Sequence, residues 1–326
     1  MSETQNVEGP SERMPRIGLN AIIAYVVVAM GLAWLVALPL WLGNGLTTPG
    51  AGLLLPVMMY APAAAVLIVL FVMRPIPKGQ RLRFLGMWPL RPAKRVIWMS
   101  VIAVFGAFAV VLLALAIASM LGWITLDLVD FSGYREALEA NPLVAASGTA
   151  LPPLGVLILT QLLSMPFAAI TINALAAFGE ELGWRGFLVP ALRRYGTWTA
   201  LLVSGAIWGL WHAPVILLGY DFGRTDITGV LLMTGGCIAW GVLFGYLRLR
   251  SGSMWPAVFA HGALNASAGL PLVLFAAGTR PDPAFALALG ISGWIACAVV
   301  VIILLLTGEF RRQPALAEPR PRHPGA

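Results

Sequence analysis

The stretch IGLNAIIAYVVVAMGLAWLVALPLWL runs from Ile17 to Leu42 without one charged residue. A helix rises about 1.5 Å per residue, so this run exceeds the roughly 20 residues that cross a ~30 Å hydrocarbon core. It also exceeds the h-region of a secretory signal, about 7–15 residues, and reads as a retained span. Seven further apolar segments follow at about 52–73, 96–122, 153–179, 199–219, 228–247, 253–277 and 284–306. Over the whole chain 59% of residues are hydrophobic and 11% charged. A soluble domain carries about a quarter charged residues, so two soluble domains are excluded. The expectation is an all-α polytopic membrane protein with about eight transmembrane helices. The proposed division is a polar N-terminal tail (1–16), N-terminal transmembrane helices and loops (17–150), a core (151–280), a last transmembrane helix (281–308) and a disordered basic tail (309–326).

The net charge is +7. In a soluble chain this would raise nucleic acid as a partner, but here the basic residues flank apolar runs. Threaded through eight spans, Lys and Arg gather on one side with the exceptions of Arg135, Arg224 and Arg280. The positive-inside rule makes the crowded side, which holds both termini and the loop 74–95, cytoplasmic. The partner this implies is the lipid bilayer, with no nucleic acid. The loop 74–95 interleaves apolar and basic residues, a pattern suited to the headgroup region as well as to an ordinary flanking loop. Cys237 and Cys297 both sit in apolar runs and read as packing residues, not a disulfide.

Ionisable residues inside spans are costly, about 2.5–3.5 kcal/mol at the bilayer centre even on the lenient scale. Glu180, Glu181, Arg185, His212 and His261 stand in or at the ends of the apolar segments, while the other ionisable residues fit tails, loops or helix flanks. Glu181 and Arg185 are i and i+4 and can pair, Glu180 points about 100° away, and Asn173 lies two turns earlier on nearly the same face. His261 and Asn265 are i and i+4 on another helix. Each group alone reads equally well as a snorkelling helix end, a satisfied packing histidine or interhelical glue. Together, two acids, two imidazoles and an amide on three helices suit a site that activates water. Such a site needs a base for the water proton and donors for an oxyanion.

Three patterns, Glu180-Glu181-x-x-x-Arg185, Trp208-x-x-x-His212 and His261-x-x-x-Asn265, resemble the polar motifs of the CPBP (Abi) family. These CAAX protease and bacteriocin-processing proteins include the type II CAAX prenyl endopeptidase. The resemblance spans about 155–270. It departs from the family at Trp208, where Phe is usual, a position expected to pack against the site. The resemblance implies an intramembrane endopeptidase with a site open to the cytoplasm. Glu180 would be the general base, His212 would position water with it, and His261 and Asn265 would form the oxyanion hole. Glu181 and Arg185 would support them and hold the helix end. A His₂Glu zinc site from Glu180, His212 and His261 is the alternative to metal-free chemistry. No His-Glu-x-x-His helix is present, and no second carboxylate is spare as both ligand and base.

The implied substrate is a peptide or lipidated protein in the membrane. The alternative functions are a non-catalytic scaffold or bacteriocin-immunity protein, and a proton-coupled transporter. No inverted repeat supports the transporter. The Ala-, Gly-, Pro- and Arg-rich composition suggests a bacterial source and hence a multi-pass protein of the cell (inner/plasma) membrane.

Overall fold

The computed structural model describes residues 14–147 and 151–312. Most of the expected N-terminal tail, residues 148–150 and most of the basic tail lie outside the described residues. Among the described residues the chain is helical, apart from loops and one isolated bridge between Leu126 and Phe275. The principal helices are α1 (Leu19–Leu42), α2 (Ala51–Val72), α3 (Ala93–Met120), α4 (Leu154–Ile170) and α5 (Ile172–Glu181). They are followed by α6 (Thr197–Trp211), α7 (Ile227–Ser251), α8 (Trp255–Ala266) and α9 (Ile291–Leu306). Hydrocarbon offers backbone groups no partners, so each crossing segment must bond within itself.

Among the described residues, 7 helices are long and apolar enough to cross a membrane. Each of the eight expected segments has an apolar helix. The fifth, α6, with 15 residues, is the one outside those 7, whereas the helical run begun by α8 continues to Leu274. Helix α6 stops at His212 because Pro214 has no N–H with which to continue the ladder, and a short helix, Ala213–Ile216, follows.

The fourth segment differs from expectation in length. The helical run does not end near 179 but continues from Leu154 to Tyr195, 42 residues with a break at Thr171. Beyond Glu181 it widens into a π-helix, Leu182–Leu188, in which every residue is buried. Arg185 belongs to this buried turn and not to a loop, because Glu181 neutralises it and its charge needs no water. Single π turns inside α-helices are rare and frequent at functional sites.

The helices meet through small residues. Ala29, Ala33 and Ala37, spaced four residues apart, form a stripe on α1, each 0–1% exposed. Large side chains such as Leu35, Phe71, Phe105 and Phe167 stay exposed on the outside, the face presented to lipid. The closest approaches are made at glycine. A Cβ on Gly209 of α6 would stand 2.3 Å from Thr234 Cα of α7. One on Gly262 of α8 would stand 2.3 Å from the Ala169 carbonyl oxygen and 2.9 Å from Ala174 N, at the α4–α5 break.

Gly262→Ala is therefore expected to cost about 1–3 kcal/mol, since backbone and not a flexible side chain must give way. Thermal unfolding in detergent checks this, and an unchanged midpoint would contradict the close approach. Orientation is tested separately. Lys78 and Arg280 are exposed and lie on sides that the charge sorting assigns to opposite faces. The native Cys237 and Cys297 are buried. A single cysteine at 280 is expected to react with an impermeant reagent on intact cells, and one at 78 only after permeabilisation. The reverse pattern would invert the topology.

Candidate active site

The end of α5, the π turn, α6 and α8 bring the sequence-derived residues toward one point. Glu180 is 2% exposed and Glu181 0%. Their roughly 100° separation sends them to different partners. Glu180 Oε2 accepts a hydrogen bond from Trp208 Nε1 of α6 at 2.5 Å and a longer one from Trp184 Nε1 at 3.3 Å. Glu181 Oε1 accepts from Arg185 Nη1 at 2.8 Å and meets His261 Nδ1 of α8 at 2.9 Å. The expected Glu181–Arg185 pair is thus present, and it carries a second partner, His261, that sequence spacing did not reveal.

Trp208 lies at the centre of this arrangement. The Arg185 guanidinium sits 4.3 Å from its ring and 5.0 Å from that of Phe244. His261 meets Trp208 edge-on at 5.3 Å and stacks on Phe244 at 5.6 Å. His212, one turn beyond Trp208, is 6.0 Å from it between ring centroids, and its Nδ1 is 2.9 Å from the Trp208 carbonyl oxygen. A carbonyl oxygen only accepts, so Nδ1 carries the proton and Nε2 is the nitrogen left for other work. Glu180 and His261 both act electrostatically on His212. His212 and Asn265 are half-buried, as is Asn173. Asn265 stands one turn past His261 on α8, and its side-chain amide makes no hydrogen bond among the described residues.

The site is closed on the side of loop 74–95. Arg248 of α7, 0% exposed, donates from Nε to the Arg185 carbonyl at 2.9 Å and from Nη2 to the Phe84 carbonyl at 2.7 Å. Phe84, Trp184 and Phe187 complete that layer, each at most 1% exposed. Tyr25 of α1 is also fully buried there, edge-on to Trp184 at 5.8 Å. From His212 the chain runs through the short helix Ala213–Ile216 into the loop 217–226. Glu180 acts electrostatically on Tyr220 of that loop, whose hydroxyl is pushed up to about 12, chiefly by burial. Asp221 beside it has a left-handed backbone (φ 60°). Its carboxylate is exposed.

Arg248, Trp184 and Tyr25 were not among the expected site residues. By sequence Arg248 fits a helix flank just past the apolar segment 228–247, yet the sequence carries a signal. Residues i and i+2 of a helix point about 200° apart, so Arg248 and Arg250 cannot both face water. Arg250 takes the outer position and pairs with Glu309 at 2.9 Å. Tyr25 gave no signal, because its partners are far away in sequence.

The expected alternative of a zinc site would draw on Glu180, His212 and His261. Among the described residues no group of three or more His, Cys, Asp and Glu side chains is placed to hold a metal ion. Glu180 Oε2 is engaged by two indoles and both imidazole Nδ1 atoms have protein partners, which leaves Glu180 Oε1 and the two Nε2 atoms as the donors a metal would take.

Helices of membrane-spanning length around a sequestered carboxylate–imidazole cluster define a multi-pass membrane protein with a polar site inside its bundle. Residues 162–267 match the family described as type II CAAX prenyl endopeptidase Rce1-like. The CPBP/CAAX resemblance of the three motifs is thereby borne out over the segment that carries them. CAAX prenyl protease 2 of Methanococcus maripaludis is 32% identical over 97 residues, which cover 28% of this chain and 36% of that protein. The chain thus matches about a third of the length of that curated relative.

Glu181→Gln removes the charge that faces Arg185 and leaves a buried cation with cation–π contacts only. Breaking a buried pair from one side typically costs about 3–5 kcal/mol. Thermal unfolding of this variant should show a loss of that order, and a wild-type midpoint would mean that the pair is not needed to hold the π turn.

Proposed function

We propose that this protein is an intramembrane endopeptidase of CAAX type, hydrolysing a peptide bond of a membrane-associated peptide or lipidated protein. The observation that carries the reading is the gathering of Glu180, His212 and His261 around Trp208, inside the segment that matches the family. Glu180 takes a proton from water, and His212 Nε2 holds the same water. The water oxygen adds to the scissile carbonyl carbon. The resulting oxyanion is met by the Asn265 amide and by His261, which in its protonated form donates through Nε2 while Nδ1 stays with Glu181. Collapse breaks the C–N bond, and the proton held by Glu180 passes to the leaving amine. Each step uses side chains of this chain, and none passes through a metal.

Glu180→Gln keeps size and hydrogen bonding but removes the base. Cleavage of a prenylated CAAX peptide, or of membrane peptides identified by comparing cells that express wild type and variant, should fall by about 10²–10⁴-fold. Asn265→Ala should lower kcat by about 10²–10³-fold. Both variants should keep their fold, and a chelator should leave wild-type cleavage intact. Undiminished cleavage by Glu180→Gln would remove the mechanism. Loss of wild-type activity to chelator, restored by zinc, would replace it with a metal-dependent one.

A further inference from the structure

We infer that the indole N–H of Trp208 is a positioning group for the Glu180 carboxylate, fixing which of its oxygens is turned to water. The inference rests on the reading of Glu180 as the base and adds a residue to it. Two indole donors, Trp208 at 2.5 Å and Trp184 at 3.3 Å, converge on the same atom, Oε2. No protein donor engages Oε1 among the described residues. A carboxylate held at one oxygen by two N–H groups cannot rotate freely about its last bond. Its second oxygen is thereby aimed, and hydrogen bonds to an ionised acceptor are the stronger kind. Trp208 links the base to the rest of the site. Its ring carries the Arg185 guanidinium at 4.3 Å, its edge meets His261 at 5.3 Å, and its carbonyl holds His212 Nδ1 at 2.9 Å. The backbone of one residue thus orients the imidazole while its side chain orients the carboxylate.

A phenylalanine at this position would keep an aromatic ring beside Arg185 but lose the N–H together with the bicyclic volume. The arrangement of Glu180 in this protein therefore depends on a group that a phenyl ring does not provide.

The test compares wild type, Trp208→Phe and a form with β-(3-benzothienyl)alanine at 208, which replaces the indole N–H by sulfur and keeps the bicyclic shape. Thermal stability is measured throughout. With an internally quenched prenylated CAAX peptide, kcat should fall at least about tenfold in both altered forms. KM and the unfolding midpoint should stay near wild type. Ultraviolet resonance Raman difference spectra between wild type and Trp208→Phe should show a strongly hydrogen-bonded indole that weakens in Glu180→Gln, a readout independent of turnover. An unbonded indole signature would overturn the inference. So would an unchanged kcat in both forms while Glu180→Gln is inactive, or a joint loss of kcat, KM and stability in both. Full cleavage by Glu180→Gln would instead strike at the role of Glu180 itself.

Discussion

Two adjacent carboxylates must be held where water is scarce, and the local architecture answers that constraint. A buried carboxylate without donors is prohibitively costly, and two side by side repel as well. The solution is division of labour. Glu181 is matched by a guanidinium and an imidazole, and Glu180 by two indole N–H groups. The π turn is part of this solution, because it keeps Arg185 within 2.8 Å of Glu181 while the chain stays buried through Leu188. Arg248 then caps the turn from α7 by binding its carbonyl. A cation that bonds main-chain carbonyls and no carboxylate has a supporting role.

Around this polar centre the bundle is assembled from small residues. A bilayer gives no hydrophobic drive for one helix to prefer another over lipid, so close backbone approach and dispersion must hold the helices together. The alanine stripe of α1 and the glycine contacts at Gly209 and Gly262 provide that approach. Gly262 follows His261 directly, so the contact that seats α8 against the α4–α5 break also sets the depth of the imidazole. Packing and chemistry are coupled there through one pair of neighbours.

The aromatic residues link these two layers. Trp208 is an apolar ring with one polar atom, the kind of side chain that can fill space in a core and still satisfy a buried acceptor. Its position was legible as one that packs, and its N–H bond to Glu180 was not. Pairing between α5 and α6 depends on how the two helices face each other, which the spacing within either helix does not encode.

The sequence by itself determined the membrane-spanning character, the approximate placement of the apolar segments, and the identity of the costly residues Glu180, Glu181, Arg185, His212 and His261. Hydrophobic run length and the expense of charge in hydrocarbon are local properties, readable residue by residue. It also determined the Glu181–Arg185 pair, an i,i+4 contact on one helix. Tertiary structure alone decided that the fourth segment runs on past Glu181 as a buried π turn, and that Arg248 is interior. It also decided that Glu181 belongs to His261 as well as to Arg185, and that Trp208 and Trp184 share one oxygen of Glu180. Those contacts join residues up to 164 positions apart. They exist because of the angles at which helices cross, and a one-dimensional pattern carries no crossing angle.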